Sequence, residues 1–221
     1  MTRPAATRTH PRPAATRTRT GPTATRPATT RTHTTGLAAV DDVEYGARFL
    51  GSLSLHEGRD PARLRHWAAT AAEFGAALAP AETPAPLRIV ESGGGLQSGL
   101  LARYTSRPPT VELYTDSLDA AERLVIAHGW REWFPPGSVR AAALAHEAVH
   151  QRLHHGPERT ALKEALGHIA LRLGRLRVLG HVAGAEELAA HAYAQTVCGL
   201  GRSPLLLSAA LAASADAARE K

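Results

Sequence analysis

Cysteine occurs once in this 221-residue chain, at Cys198, so no internal disulfide can form. A lone thiol fits a reducing compartment, and the expected location is cytoplasmic. Near the apolar end of a helical segment and with no dedicated base in view, Cys198 reads as a structural thiol and not as a nucleophile. No stretch reaches the 18 or more apolar residues of a membrane-crossing helix, so no membrane span is expected. Residues 1–40 contain no acid and no aromatic side chain, and they lack the apolar core of a secretory signal. Phosphate-cradling loops are missing too: Ser92-Gly93-Gly94-Gly95 is followed by neither G-x-G-x-x-G nor G-K-S/T and reads as a flexible bend.

The formal charge of +6 belongs to the N-terminal segment. Residues 1–40 hold seven arginines, which leaves 19 basic residues against 20 acidic ones in the rest. Arg3-Pro4-Ala5-Ala6-Thr7-Arg8-Thr9 returns as Arg12-Pro13-Ala14-Ala15-Thr16-Arg17-Thr18. Nothing in such a repeat can build a core, so residues 1–36 read as a disordered Arg/Thr/Ala/Pro-rich tail ahead of one folded unit, 37–221. Electrostatic contact with polyanions is open to the tail. The lack of interleaved aromatics argues against nucleic acid as a partner and for a solvated extension.

The densest chemistry lies in His146-Glu147-Ala148-Val149-His150, an H-E-x-x-H run. On a helix, positions i and i+4 share a face with Cβ atoms about 5–6 Å apart, so both imidazoles can reach one Zn2+ at about 2.0–2.1 Å. Glu147, one step round the turn, is placed to act as general base on a water activated by the metal. The flanks support a helix: Ser138 is a candidate N-cap after Pro135-Pro136-Gly137, and Gly156-Pro157 is a stop. A surface helix that carries these residues by chance is the bland alternative.

A zinc site needs a third ligand. Val182–Leu200 reads as a helix whose apolar positions Val182, Ala189, Tyr193, Val197 and Leu200 share a face with Glu186. An unpaired carboxylate on a buried face must find a partner, become neutral or bind a metal, so Glu186 is the expected third ligand. Glu187, about 100° round the helix with His191, reads as a solvated pair and stands second; an arginine partner for Glu186 is the non-metal alternative. His154, four residues after His150, is a rival ligand, whereas His168 reads as structural.

H-E-x-x-H followed by a glutamate helix with Ala189, then Gly201 and Pro204, resembles the gluzincin metallopeptidases, most closely the HtpX-like group that includes the CAAX prenyl endopeptidases. The resemblance spans roughly residues 138–211. It implies a zincin-like domain that hydrolyses peptide bonds in a peptide or protein substrate, with His146, His150 and Glu186 as metal ligands and Glu147 as catalytic base. The usual aspartate of the glutamate motif is Ala190 here, and the interval from His150 to Glu186 is short for the group. Proteases of the ImmA/IrrE type share H-E-x-x-H and stand second, their glutamate-motif spacing fitting less well around Tyr193. A hydrolase of this kind needs a donor for the developing oxyanion, and Tyr193, His191 and Tyr104 are the candidates.

The remaining segments read as scaffold, giving a mainly helical α+β fold with a small β-sheet and the H-E-x-x-H helix. Asp41 or Asp42 opens a helix toward His56, and Asp60-Pro61 opens another to about Leu78. A Pro-rich connector covers 79–86. Strands are expected over 87–91, 100–105 and 110–115, the last two forming a hairpin whose edge is a candidate to align an extended peptide, as the resemblance implies. Ser117 is expected to cap a helix to His128. Residues 158–179 read as one amphipathic helix with Leu162, Leu166, Ile169, Leu173 and Leu176 in a stripe, and Ser203-Pro204 begins a final helix. The rival reading of the whole chain is a catalytically silent zinc-binding or helical scaffold, or a regulatory domain working through its basic tail.

Overall fold

A computed structural model describes residues 36–79 and 88–219. The expected disordered tail, save Gly36, and the Pro-rich connector, save Ala79, lie outside the described residues.

Two capped helices start the body. In α1 (Asp42–Ser52) the Asp41 carboxylate accepts the Glu44 N–H at 2.7 Å; in α2 (Pro61–Ala77) Asp60 accepts the Ala62 N–H at 3.0 Å, with proline at the first helical position. Strand β1 (Arg88–Ser92) follows, then the one-turn α3 (Gly95–Ser98), β2 (Ala102–Ser106) and β3 (Pro109–Tyr114). The sheet order is β1-β3-β2, with β1 parallel and β2 antiparallel to β3, so β2 is an edge.

Helix α4 (Thr115–His128) begins before the expected cap, and Ser117 is buried inside its first turn. Helix α5 (Ser138–His155) is entered through Gly137 at φ 80°, a left-handed conformation that suits glycine; Ser138 is thus its first residue and not its cap.

Residues 158–179 do not form one helix. Helix α6 (Pro157–Leu166) stops at Gly167, and β4 (Ile169–Leu173) and β5 (Leu176–Leu179) form an antiparallel hairpin. The leucine stripe satisfies a helical period, but Leu171, Leu173, Leu176 and Val178 also alternate with arginines. Gly167 and Gly174, both at φ 59°, settle the choice by ending the helix and closing the turn.

Helix α7 (Ala185–Val197) and helix α8 (Leu205–Arg219) complete a mainly helical α+β fold. Trp67, Leu50, Phe134, Val149, Leu153 and Leu206 are fully buried in one continuous core. Helix α7 lies between α2 and α5, and eight of its residues are buried. Its contact with α2 is close: a Cβ on Gly75 would lie 2.0 Å from the Ala189 carbonyl oxygen, so only glycine lets the two backbones meet there.

Candidate metal centre

Helix α5 turns His146 and His150 toward α7, as the i, i+4 spacing requires. Their Nε2 atoms lie 3.0 Å apart, and the Glu187 carboxylate closes the group at 3.2 Å from His146 and 3.3 Å from His150. Donors about 2.0–2.1 Å from a tetrahedral zinc are about 3.3–3.4 Å from one another. The two nitrogens are near that spacing, Glu187 Oε2 approaches His146 and Oε1 approaches His150, and one donor atom from each of the three residues lies within 4.8 Å of the others. Protons make a poor substitute. If both imidazoles carried Nε2–H, the two hydrogens would oppose each other across 3.0 Å, whereas one cation satisfies both nitrogens and the carboxylate. The trio is a group that could hold a metal ion.

The expected third ligand, Glu186, is elsewhere. It is buried, as its place on the apolar face implied, but its carboxylate pairs with His181 Nδ1 at 3.2 Å. The sandwiching of α7 explains the exchange: its half-buried face, carrying Glu187 and His191, meets α5 and the cleft. An apolar stripe marks a single core-facing side and gives no hint of a second packed side built from polar residues. The sign of the missed signal was E-x-x-x-H at Glu187 and His191, a second i, i+4 pair of metal-binding types.

His191 is half-buried and packs its ring 4.4 Å from that of His146; loss of solvent and the His146 charge push its imidazole well below the ordinary histidine value. It lines the cleft beside the trio. Tyr193 does not: it is buried in the core, among residues away from the cleft, so it is no donor to a substrate there. His154 stacks on His150 with ring centroids 5.1 Å apart and stays outside the trio, and His168 lies against Trp67.

Electrostatics within the trio are strongly coupled. Partial burial raises the Glu187 carboxyl, but hydrogen bonds from His146 and His150 and their charge outweigh it and hold the group far below the usual carboxylate range. Burial likewise lowers the His150 imidazole, and the Glu187 carboxylate outweighs it, with Glu147 and Glu186 adding to a net rise. The Nδ1 atoms of His146 and His150 are buried with no hydrogen-bond partner among the described residues. Among the described residues no carboxylate or carbonyl orients these rings through Nδ1, the contact that metal-binding histidines usually have.

Glu147 is anchored by the edge strand. The Tyr104 N–H of β2 donates to its carboxylate at 2.8 Å, which joins the outer edge of the sheet to the helix that carries the histidines. A cleft of about 910 Å³ opens over this arrangement, with mainly apolar walls from α1, α8 and the first half of α5, among them Phe49, Val139, Leu205 and Leu207. Cys198 is half-buried, and burial raises its thiol, which suits a structural role. Compared with protein-family profiles, curated proteins and solved structures, the chain matches none.

Proposed function

We propose that the protein is a zinc-dependent metallopeptidase of gluzincin type, with His146, His150 and Glu187 as metal ligands and Glu147 as general base. The observation that carries this reading is the convergence of three metal-binding side chains from two helices on one point, beside a carboxylate in the same cleft. Zinc, when bound, lowers the pKa of water and polarises a substrate carbonyl.

The chain's own groups supply the rest. Glu147 takes a proton from the attacking water and returns it to the leaving amine, a role worth about 10²- to 10⁴-fold in rate. Tyr104 positions Glu147 through its backbone N–H. An extended peptide would lie along the part of the β2 edge that Glu147 does not occupy, with apolar side chains in the cleft and the peptide aligned by main-chain hydrogen bonds. His191 and the side chain of Tyr104, both lining the cleft, are the candidate donors to the developing oxyanion.

The test is zinc stoichiometry of purified protein together with cleavage of a fluorogenic peptide library. Bound zinc and cleavage that Glu147→Gln abolishes support the reading; bound zinc without any cleavage sinks it. That second result would favour a scaffold domain that keeps a metal, a reading to which the unpartnered Nδ1 atoms of His146 and His150 lend weight.

A further inference from the structure

The β4–β5 hairpin leaves its best hydrophobic face in water. Its register pairs Leu171 with Val178 and Leu173 with Leu176, which puts all four side chains on one side. They are 51%, 43%, 59% and 60% exposed in that order, a contiguous aliphatic patch of the kind that marks an interaction surface. Arg172 faces Arg177 across the other side, where opposed like charges weaken a strand pair, and Arg175 sits in the turn after Gly174. No Asp or Glu occurs between Glu164 and Glu186, and none of the three arginines forms an ion pair among the described residues.

The basic surface continues at the hairpin's root. Gly167, His168 and Ile169 line a polar recess of about 470 Å³ together with Arg59 and Arg63. Both guanidinium groups stack over Trp67, at 5.5 and 5.7 Å from its ring, and neither has a carboxylate partner among the described residues. The one acid in the recess, Asp60, is engaged in capping α2.

We infer that this hairpin docks the protein on an anionic lipid surface. The leucines and Val178 enter the boundary between headgroups and acyl chains, and the arginines of the hairpin and of the recess meet lipid phosphates. Charge decides against the other occupants. A second copy stacked on the aliphatic face would leave the arginines of the opposite side without an acidic partner, and a peptide added at a strand edge would leave the leucines in water. An anionic bilayer interface satisfies both sides of the hairpin, and it needs no membrane-crossing helix; none of the described helices is long and apolar enough to be one. The inference stands apart from the metal reading.

The experiment is sedimentation of the full-length protein with vesicles of phosphatidylcholine alone or mixed with phosphatidylserine, at low and high salt. Binding to the mixed vesicles only, weakened by salt, is expected. Leu173→Ser/Leu176→Ser should lower the partition coefficient at least tenfold, and Arg172→Gln/Arg177→Gln about tenfold or more, since each arginine near such a surface contributes roughly a fivefold factor. Unchanged circular dichroism and melting temperature would show that the variants remain folded. Binding that both variants leave untouched would place the contact elsewhere, on the arginine-rich N-terminal segment for example, and would overturn the inference. So would the absence of binding to any vesicle, or a wild-type dimer that the leucine variant converts to monomer.

Discussion

The backbone N–H of Tyr104 and the side chain of Glu147 are 2.8 Å apart, so the catalytic carboxylate of the proposed mechanism is held by the same strand that would align a substrate. Glu147→Gln keeps an oxygen that can accept this bond and removes only the basicity. The variant should bind zinc as wild type does and lose 10²-fold or more in kcat/KM on a cleaved peptide. Metal analysis beside steady-state kinetics reads both effects.

The two neighbouring glutamates of α7 should separate cleanly. Glu187→Ala removes a donor from the trio and should reduce zinc to well below one per chain, whereas Glu186→Ala breaks only the contact with His181 and should leave the metal in place. Stoichiometry by elemental analysis after gel filtration distinguishes them. Equal loss from both variants would contradict the geometry.

Metal binding should also stabilise the fold, because the donors come from helices far apart in sequence. At a free zinc concentration about 100 times Kd the gain is about 2.7 kcal/mol, which for a domain of this size raises Tm by about 5–10 °C. Calorimetry with and without a chelator measures it. The same chelator should leave the Tm of His150→Ala unchanged.

Gly75 couples the core to the site. A methyl group there would lie 2.0 Å from the Ala189 carbonyl oxygen, so Gly75→Ala must push α7 away from α2. Overpacking of this kind costs about 1–3 kcal/mol. Urea unfolding should show that loss, and weaker zinc binding should accompany it because Glu187 rides on the displaced helix.

Asp116 gives a pH signature through groups outside the histidine–glutamate trio. Its carboxylate accepts the N–H groups of Gly94, Gly95 and Leu96 at 3.1–3.2 Å. Desolvation pushes its pKa up, but these backbone donors outweigh it and hold it below the ordinary 3.8. A lowered folded value means stability that is present above the unfolded pKa and is lost as pH falls through the folded one. Asp116→Asn should therefore melt below wild type at neutral pH, and the gap should close below about pH 4. A gap independent of pH would show that the bonds, and not the charge, matter.

Local chemistry was legible where residues act through near neighbours. Asp41, Asp60 and Pro61 announced helix starts, and the histidine pair announced its shared face. What lay beyond reach depended on tertiary context. Glu186 and Glu187 differ by one step on a helix, and only the sandwiching of α7 between α2 and α5 decides which carboxylate meets the histidines. Helical phase puts Tyr193 on the apolar face and it is core; only the hydrolase reading makes it a candidate donor. Over 169–179 the leucines fit two periods at once, and two glycines with positive φ select the hairpin.

Arg202 clamps the start of the described body: its guanidinium bonds the Asp42 carboxylate and the carbonyls of Ala38 and Val40, while Leu37 forms part of the cleft wall. The described body therefore begins beside the wall of the cavity. An affinity handle joined directly ahead of Leu37 would be tethered beside that wall, within reach of whatever occupies the cavity. Assays are best run on protein tagged at the opposite end or with the handle removed.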